Sequence, residues 1–180
     1  MVAYASSCGD GDTVAIARRL ALSAMRVIGF LPVTARRPQD DSSWLASLAE
    51  ALTEFVPGDV GLVGDWRAWT SGGESAESSN DPAAGEPAAS RVRRLMPAAA
   101  ADRARASIEL RKTLAHQPEG LSRLLVSIAD YASPGAIPAA LDWMDGVALL
   151  VPVRRARWKS VANVVRGVAP EKQLGVIVVG

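Results

Sequence analysis

Cysteine and histidine are nearly missing: the 180-residue chain has one of each, Cys8 and His116. A disulfide framework needs pairs, so the chain has none of its own. The usual Cys/His zinc site is excluded for want of ligands. A lone His so far along the chain supports no Ser/His/Asp or Cys/His relay either. An excess of one charge is also lacking, since 20 Lys and Arg against 19 Asp and Glu leave a formal +1. A general nucleic-acid or polyanion binder normally carries a basic excess, and that class is set aside. No apolar run reaches the length of a membrane span. The N-terminus, Met1 to Ser7, lacks the basic and long apolar regions of a secretory signal. The chain opens directly on a strand-like segment, and the expectation is a cytoplasmic protein with no membrane segment of its own.

What is present reads as globular: 49% hydrophobic and 22% charged residues. The length suits a single domain over 1–180 with a full-sized core. Val2 to Ser7 is a short strand candidate, followed by the turn Gly9-Asp10-Gly11-Asp12. From Thr13 to Ala24, apolar residues fall at Val14, Ala17, Leu20, Ala21 and Ala24, which is helical spacing. Met25 to Val33 is a second apolar run. Ser42 or Ser43 suits the cap of a helix carrying Leu45, Leu48, Ala49, Leu52 and Phe55, ended by Pro57-Gly58. Asp59 to Val63 is strand-like.

Residues 71–90 are small, polar and punctuated by Pro and Gly, which reads as a flexible low-complexity insertion. Beyond it, Arg91–Met96, Leu121–Ala129, Gly146–Val153 and Leu174–Val179 are strand candidates. Ala99–His116, Pro134–Asp142 and Trp158–Val168 are helix candidates. Strands and helices alternate throughout, and the strands are apolar along their whole length rather than at every second residue. That pattern predicts a three-layer α/β fold, a mainly parallel sheet covered on both faces.

The order strand, Gly-rich turn, helix is that of a phosphate loop, in which backbone N–H groups and a Lys hold the phosphates. Ser6-Ser7-Cys8-Gly9-Asp10-Gly11-Asp12-Thr13-Val14-Ala15 resembles the Walker A region of the bacterial tyrosine kinases of exopolysaccharide export. That region reads Ser-x-x-Pro-Gly-Glu-Gly-Lys-Thr-Thr-Val-Ala, and the family lies within the MinD/ParA-like P-loop ATPases. Met25 to Pro38, ending Ala35-Arg36-Arg37-Pro38, resembles the family's second strand and its Asp-x-Asp-Leu-Arg-Arg-Pro sequence. Ala140 to Val153, then a helix and Leu174 to Gly180, resembles its last two strands. The likeness covers both ends of the chain and leaves the middle, about 55 to 120, poorly matched.

The resemblance implies a P-loop NTPase-like fold with a phosphate loop at Gly9, Asp10, Gly11, Asp12 and Thr13. It also shows where this chain departs from the pattern. The Walker A Lys position is Asp12. The two Asp positions of the second-strand motif fall on Pro32 and Thr34, and the Asn that contacts adenine falls on Val179. Thr13 aligns with the Mg²⁺-binding hydroxyl, and Asp130 lies nearest the Walker B Asp. Each reads equally as an ordinary helix-start or strand-end residue. With Tyr4 and Tyr131 the only tyrosines, the phosphorylated C-terminal tyrosine cluster is absent.

A carboxylate in place of an ammonium turns attraction for phosphate into repulsion. A unit pair at about 4 Å and an effective dielectric of about 20 is worth roughly 4 kcal/mol. Asp12 would instead interact favourably with the helix N-terminus, occupying the role of the phosphate. These departures imply no catalytic residue, and they argue against ATP and Mg²⁺ as cofactors. The function implied is a catalytically inactive scaffold or regulator of exopolysaccharide synthesis or export. Its partners would be a membrane polysaccharide co-polymerase or an active kinase homologue, with self-association and with membrane contact only through a partner. Two alternatives stay open. One is an active nucleotide-binding ATPase, with Arg18, Arg19 or a partner residue replacing the Lys. The other is a MinD/ParA-like positioning protein.

Other residues carry plainer readings. Arg36 and Arg37 suit either a phosphate or a solvated loop. Arg154, Arg155, Arg157 and Lys159 beside Trp158 suit a membrane surface or an acidic partner, and a solvated helix start suits them better. His116 sits where a helix end favours an imidazolium. Cys8 reads as a small buried residue. Trp66 and Trp69 flank the low-complexity segment, while Trp44 and Trp143 complete the set of five tryptophans, which are commonly core residues.

Overall fold

The computed structural model describes residues 3–5, 10–33, 38–64, 90–95, 103–128, 137–152 and 158–179. In chain order these form β1 (Ala3–Ala5), α1 (Asp10–Leu22), β2 (Val27–Pro32), α2 (Pro38–Thr53), β3 (Asp59–Val63) and β4 (Val92–Arg94). Then follow α3 (Arg103–Ala115), β5 (Leu121–Ser127), α4 (Ile137–Asp142), β6 (Gly146–Pro152), α5 (Trp158–Gly167), a 3₁₀ turn (Pro170–Lys172) and β7 (Gln173–Val179).

The described strands make one seven-stranded sheet in the order β1-β7-β6-β2-β5-β3-β4. Every pairing in it is parallel. Parallel strands need a crossover between them, and the helices supply it. This is the three-layer α/β fold that the alternating pattern predicts.

Side-chain alternation splits the core across the two faces of the sheet. Ile28 and Phe30 of β2, Leu125 of β5, and Ala148 and Leu150 of β6 pack with Ile16, Ala17 and Leu20 of α1 and Leu45, Leu48 and Leu52 of α2. Val27 and Leu31, Leu124 and Val126, and Val147 and Leu149 point the other way, onto Leu110 of α3, Leu141 of α4 and Val168. Both faces are therefore apolar, which is why the strand sequences show no polar alternation.

Two helix starts differ from the sequence expectation. The Gly9–Asp12 segment reads as a turn, yet Asp10, Gly11 and Asp12 already lie in α1. Ser42 and Ser43 are inside α2, not at its cap, because α2 begins at Pro38. Proline at a first helical position has its φ preset and lacks only an N–H that would find no intrahelical partner. Residues 71–89 of the low-complexity segment lie outside the described residues, as do Trp66 and Trp69. No helix among the described residues is long and apolar enough to cross a membrane.

Helices that return antiparallel to a parallel sheet bring their C-termini to the edge where the strands begin. Side chains from the strand starts meet the carbonyls that helix ends leave unpaired. The Arg123 guanidinium donates to the Ala21 and Ser23 carbonyls at 3.2 and 2.8 Å, closing α1. Arg91 donates to Thr53 and Val56 at 2.7 and 2.8 Å and also to Gly58, closing α2. Lys172 Nζ donates to Leu141 and Asp142 at 3.1 and 2.9 Å, closing α4. Gln173 Nε2 donates to Val165 and Val168 at 3.0 and 2.7 Å, closing α5. This edge is fastened by polar groups, leaving the opposite edge, where strands end and helices begin, for a site.

Candidate functional site

In open parallel sheets, ligands bind outside the carboxyl ends of the strands, where neighbouring crossovers leave for opposite faces. Here that point is β2. The chain leaves β2 through α2 on one face, while β5 and β6, which flank β2, lead into α4 and α5 on the other. The position so marked by the topology lies beyond Leu31, Pro32 and Val33. The Val33 N–H donates to the Leu150 carbonyl at 2.9 Å and ties the end of β2 to β6. Phe30 stands in register with Ser127 of β5. Ser127 is 7% exposed, and Ile128 beyond it is fully buried. The strand ends there are thus apolar with one hydroxyl, Ser127, a residue that the sequence reading did not single out. Its only signal was a hydroxyl inside the apolar run from Leu124 to Ala129. α2 begins at Pro38, so the positive end of its dipole lies at the edge of the sheet where the strands end.

The residues expected to form a phosphate loop lie elsewhere. Asp10, Gly11, Asp12 and Thr13 make up the start of α1, with Thr13 buried at 8% exposure and Asp12 half-buried. Gly9 lies outside the described residues. α1 follows β1, which stands at the edge of the sheet among the described strands and there pairs with β7. Three strand spacings separate β1 from β2, about 14 Å. The topology therefore brings the expected loop and the end of β2 to different places. Thr34, Arg36, Arg37 and Asp130, which follow β2 or β5 in sequence, lie outside the described residues. Among the described residues, no three His, Cys, Asp or Glu side chains gather as a metal cluster.

One property holds for both strand–loop–helix units. The lysines of the chain are Lys112, Lys159 and Lys172, so neither the β1–α1 nor the β2–α2 connection contains one. The β1–α1 unit offers Asp10 and Asp12, whereas the β2–α2 unit offers Arg36 and Arg37 followed by Asp40 and Asp41. A triphosphate with Mg²⁺ needs a Lys on its terminal phosphates and a hydroxyl and a carboxylate on the metal. Each unit carries carboxylates and a hydroxyl in its sequence, and neither supplies that Lys.

No protein-family model matches the chain, and no curated protein matches it in sequence. Among solved structures, the chain is similar to one titled the BceF tyrosine kinase domain. The two share 16% identity at a TM-score of 0.60, over 95% of this chain and 74% of that chain. At that identity the likeness is one of fold: a parallel sheet flanked by helices, as in that structure.

Proposed function

We propose that this chain is a kinase-fold domain without phosphoryl transfer, acting as a scaffold or regulator in exopolysaccharide synthesis or export. A membrane polysaccharide co-polymerase or an active kinase homologue is the partner such a domain would dock on. The observation that carries the reading is the missing lysine. Residues 1–111 contain none, and both units able to serve as a phosphate loop fall within them. Phosphoryl transfer rests on positioning and charge neutralisation. With the Lys position held by a carboxylate, both are lost together.

A second reading has one feature in its favour. Arg36 and Arg37 fall in sequence between β2 and α2, and a guanidinium can take up phosphate charge bidentately. On that reading the domain binds nucleotide through arginine. Thermal melting with and without millimolar Mg·ATP separates the two. A ligand at 100 times its dissociation constant stabilises by about 2.7 kcal/mol. Inactivity predicts no shift for the natural chain. A shift that Arg36→Ala or Arg37→Ala abolishes supports the arginine reading. A shift appearing only in Asp12→Lys or in Asp41→Lys identifies which of the two loops retains phosphate-loop geometry.

A further inference from the structure

α1 and α2 lie side by side on one face of the sheet and run the same way, from the edge where strands end to the edge where they begin. Their inner faces are spent on the core, through Ile16, Ala17 and Leu20 of α1 and Leu45, Leu48 and Leu52 of α2. The outward faces differ in sign. From Thr13 to Ala24 the chain holds Arg18 and Arg19 and no carboxylate. From Trp44 to Phe55 it holds Glu50 and Glu54 and no cation. Arg18, Glu50 and Glu54 are all exposed. Among the described residues, neither Arg18 nor Glu54 has an ion-pair partner. Glu50 accepts from the Ser90 hydroxyl at 3.0 Å, which holds its carboxylate in place. Leu22, at the end of α1, is 82% exposed, more than any other large apolar side chain among the described residues.

Ala15, Arg18 and Leu22 follow at intervals of three and four residues, which puts them on one side of α1. Ser47, Glu50 and Glu54 repeat those intervals on α2, and all six residues are exposed. Arg18 lies about one turn before the end of α1, and Glu50 about one turn before the end of α2. Val27 and Val60, on the strands that follow, pair with Leu124 and Arg123, neighbours on β5, so the two helices return to the same level of the sheet. We propose that this helix layer is a two-fold interface between two copies of the chain, α1 of each lying on α2 of the other. With the axis parallel to the helices, heights are kept. Arg18 then meets Glu50 of the partner subunit, Ala15 meets Ser47 of the partner subunit, and Leu22 covers the stem of Glu54 of the partner subunit, each contact occurring twice. A basic helix beside an acidic one is complementary to itself turned about such an axis. An anionic surface or a partner of one sign meets like charge on one of the two helices, so charge complementarity selects a second copy. Helices about 20 Å long and about 10 Å apart offer less than the roughly 800 Å² per partner of a standard interface, so the dimer is of the weak, reversible kind. This inference does not depend on the kinase-like reading, since self-association is measured without nucleotide.

The test is sedimentation velocity of the whole chain at low salt, over a concentration series from micromolar to millimolar. The expected result is a rise from the mass of one chain toward that of two, and no further. Each charge reversal acts at two places across the axis, so Arg18→Glu and Glu50→Arg should each weaken association by about tenfold or more. An equal mixture of these two variants should regain it, because both pairs across the axis are then again of opposite sign. Leu22→Asp should weaken association without a charge partner to restore it. All three side chains are exposed, and unchanged melting temperatures at concentrations where the natural chain is monomeric would show the fold intact. A single chain at every concentration, or growth past two chains, would overturn the proposal. So would association that either reversal leaves at full strength, or a mixture that associates no better than its components.

Discussion

Asp145 accepts the backbone N–H groups of both Arg26 and Val27, at 2.9 and 2.8 Å, and so fastens the start of β6 to the start of β2. The relationship spans well over a hundred residues of sequence and fixes the two central strands at the edge where the strands begin. Hydrogen bonds to a carboxylate are stronger than those between neutral groups. Asp145→Ala should therefore destabilise the fold by about 1–2 kcal/mol, lowering the melting temperature by roughly 3–6 °C. Asp145→Asn keeps one acceptor and should lose about half as much. Calorimetry of the two variants checks the order.

The helix-end contacts predict additive losses. Arg91→Ala removes the donor that closes α2, and Lys172→Ala the one that closes α4. Each should cost about 1 kcal/mol, discounted for the exposure of these side chains. The two sites share no partner, so the double variant should lose the sum to within about 0.5 kcal/mol. A urea titration of the four proteins measures this.

Gly29 lies in the middle of β2, and a Cβ there would meet Ile128 Cδ1 at 2.5 Å and Met144 Cγ at 2.9 Å. Gly29→Ala should overpack the central strand and cost about 1–3 kcal/mol. Ile128→Val removes the nearer methyl, and combined with Gly29→Ala it should recover part of that loss, as a double-mutant cycle would show.

Trp44 packs edge-on against Phe30, with ring centroids 5.8 Å apart, yet its indole N–H is buried without a partner among the described residues. Trp44→Phe keeps an aromatic ring and removes an unsatisfied donor, so the change in stability should lie within about 1 kcal/mol of zero. Trp44→Ala should cost about 3–5 kcal/mol through the cavity it leaves. Thermal denaturation of the pair tests whether Trp44 is a packing residue.

The strands were legible because they are apolar along their whole length: Asp59–Val63 is observed as read, β5 and β6 end earlier than expected, and β7 begins one residue earlier, at Gln173. The helix starts were less so. Pro38 begins α2 four residues before the serines that resemble caps, since a proline and two serines both signal an N-terminus. Strand order was the hidden quantity. Nothing in the residues of β1 and β2 says which lies at the edge and which at the centre, because that depends on the pairing of Ala3–Ala5 with β7 and of β2 with β5 and β6. A glycine-rich turn after β1 drew the site toward Gly9–Thr13, while the topology directs attention to the end of β2. Ser127 became visible among these strand ends only once its register with Phe30 was known.

The central claim is that this fold no longer transfers phosphate, and labelled phosphoryl transfer tests it most directly. The natural chain is incubated with millimolar Mg·ATP carrying a γ-phosphate label, and label is followed into protein and into free phosphate. The account predicts no incorporation and no release above a protein-free control. Turnover by the natural chain that Arg36→Ala or Arg37→Ala removes would contradict it and establish an arginine-based nucleotide site at the end of β2.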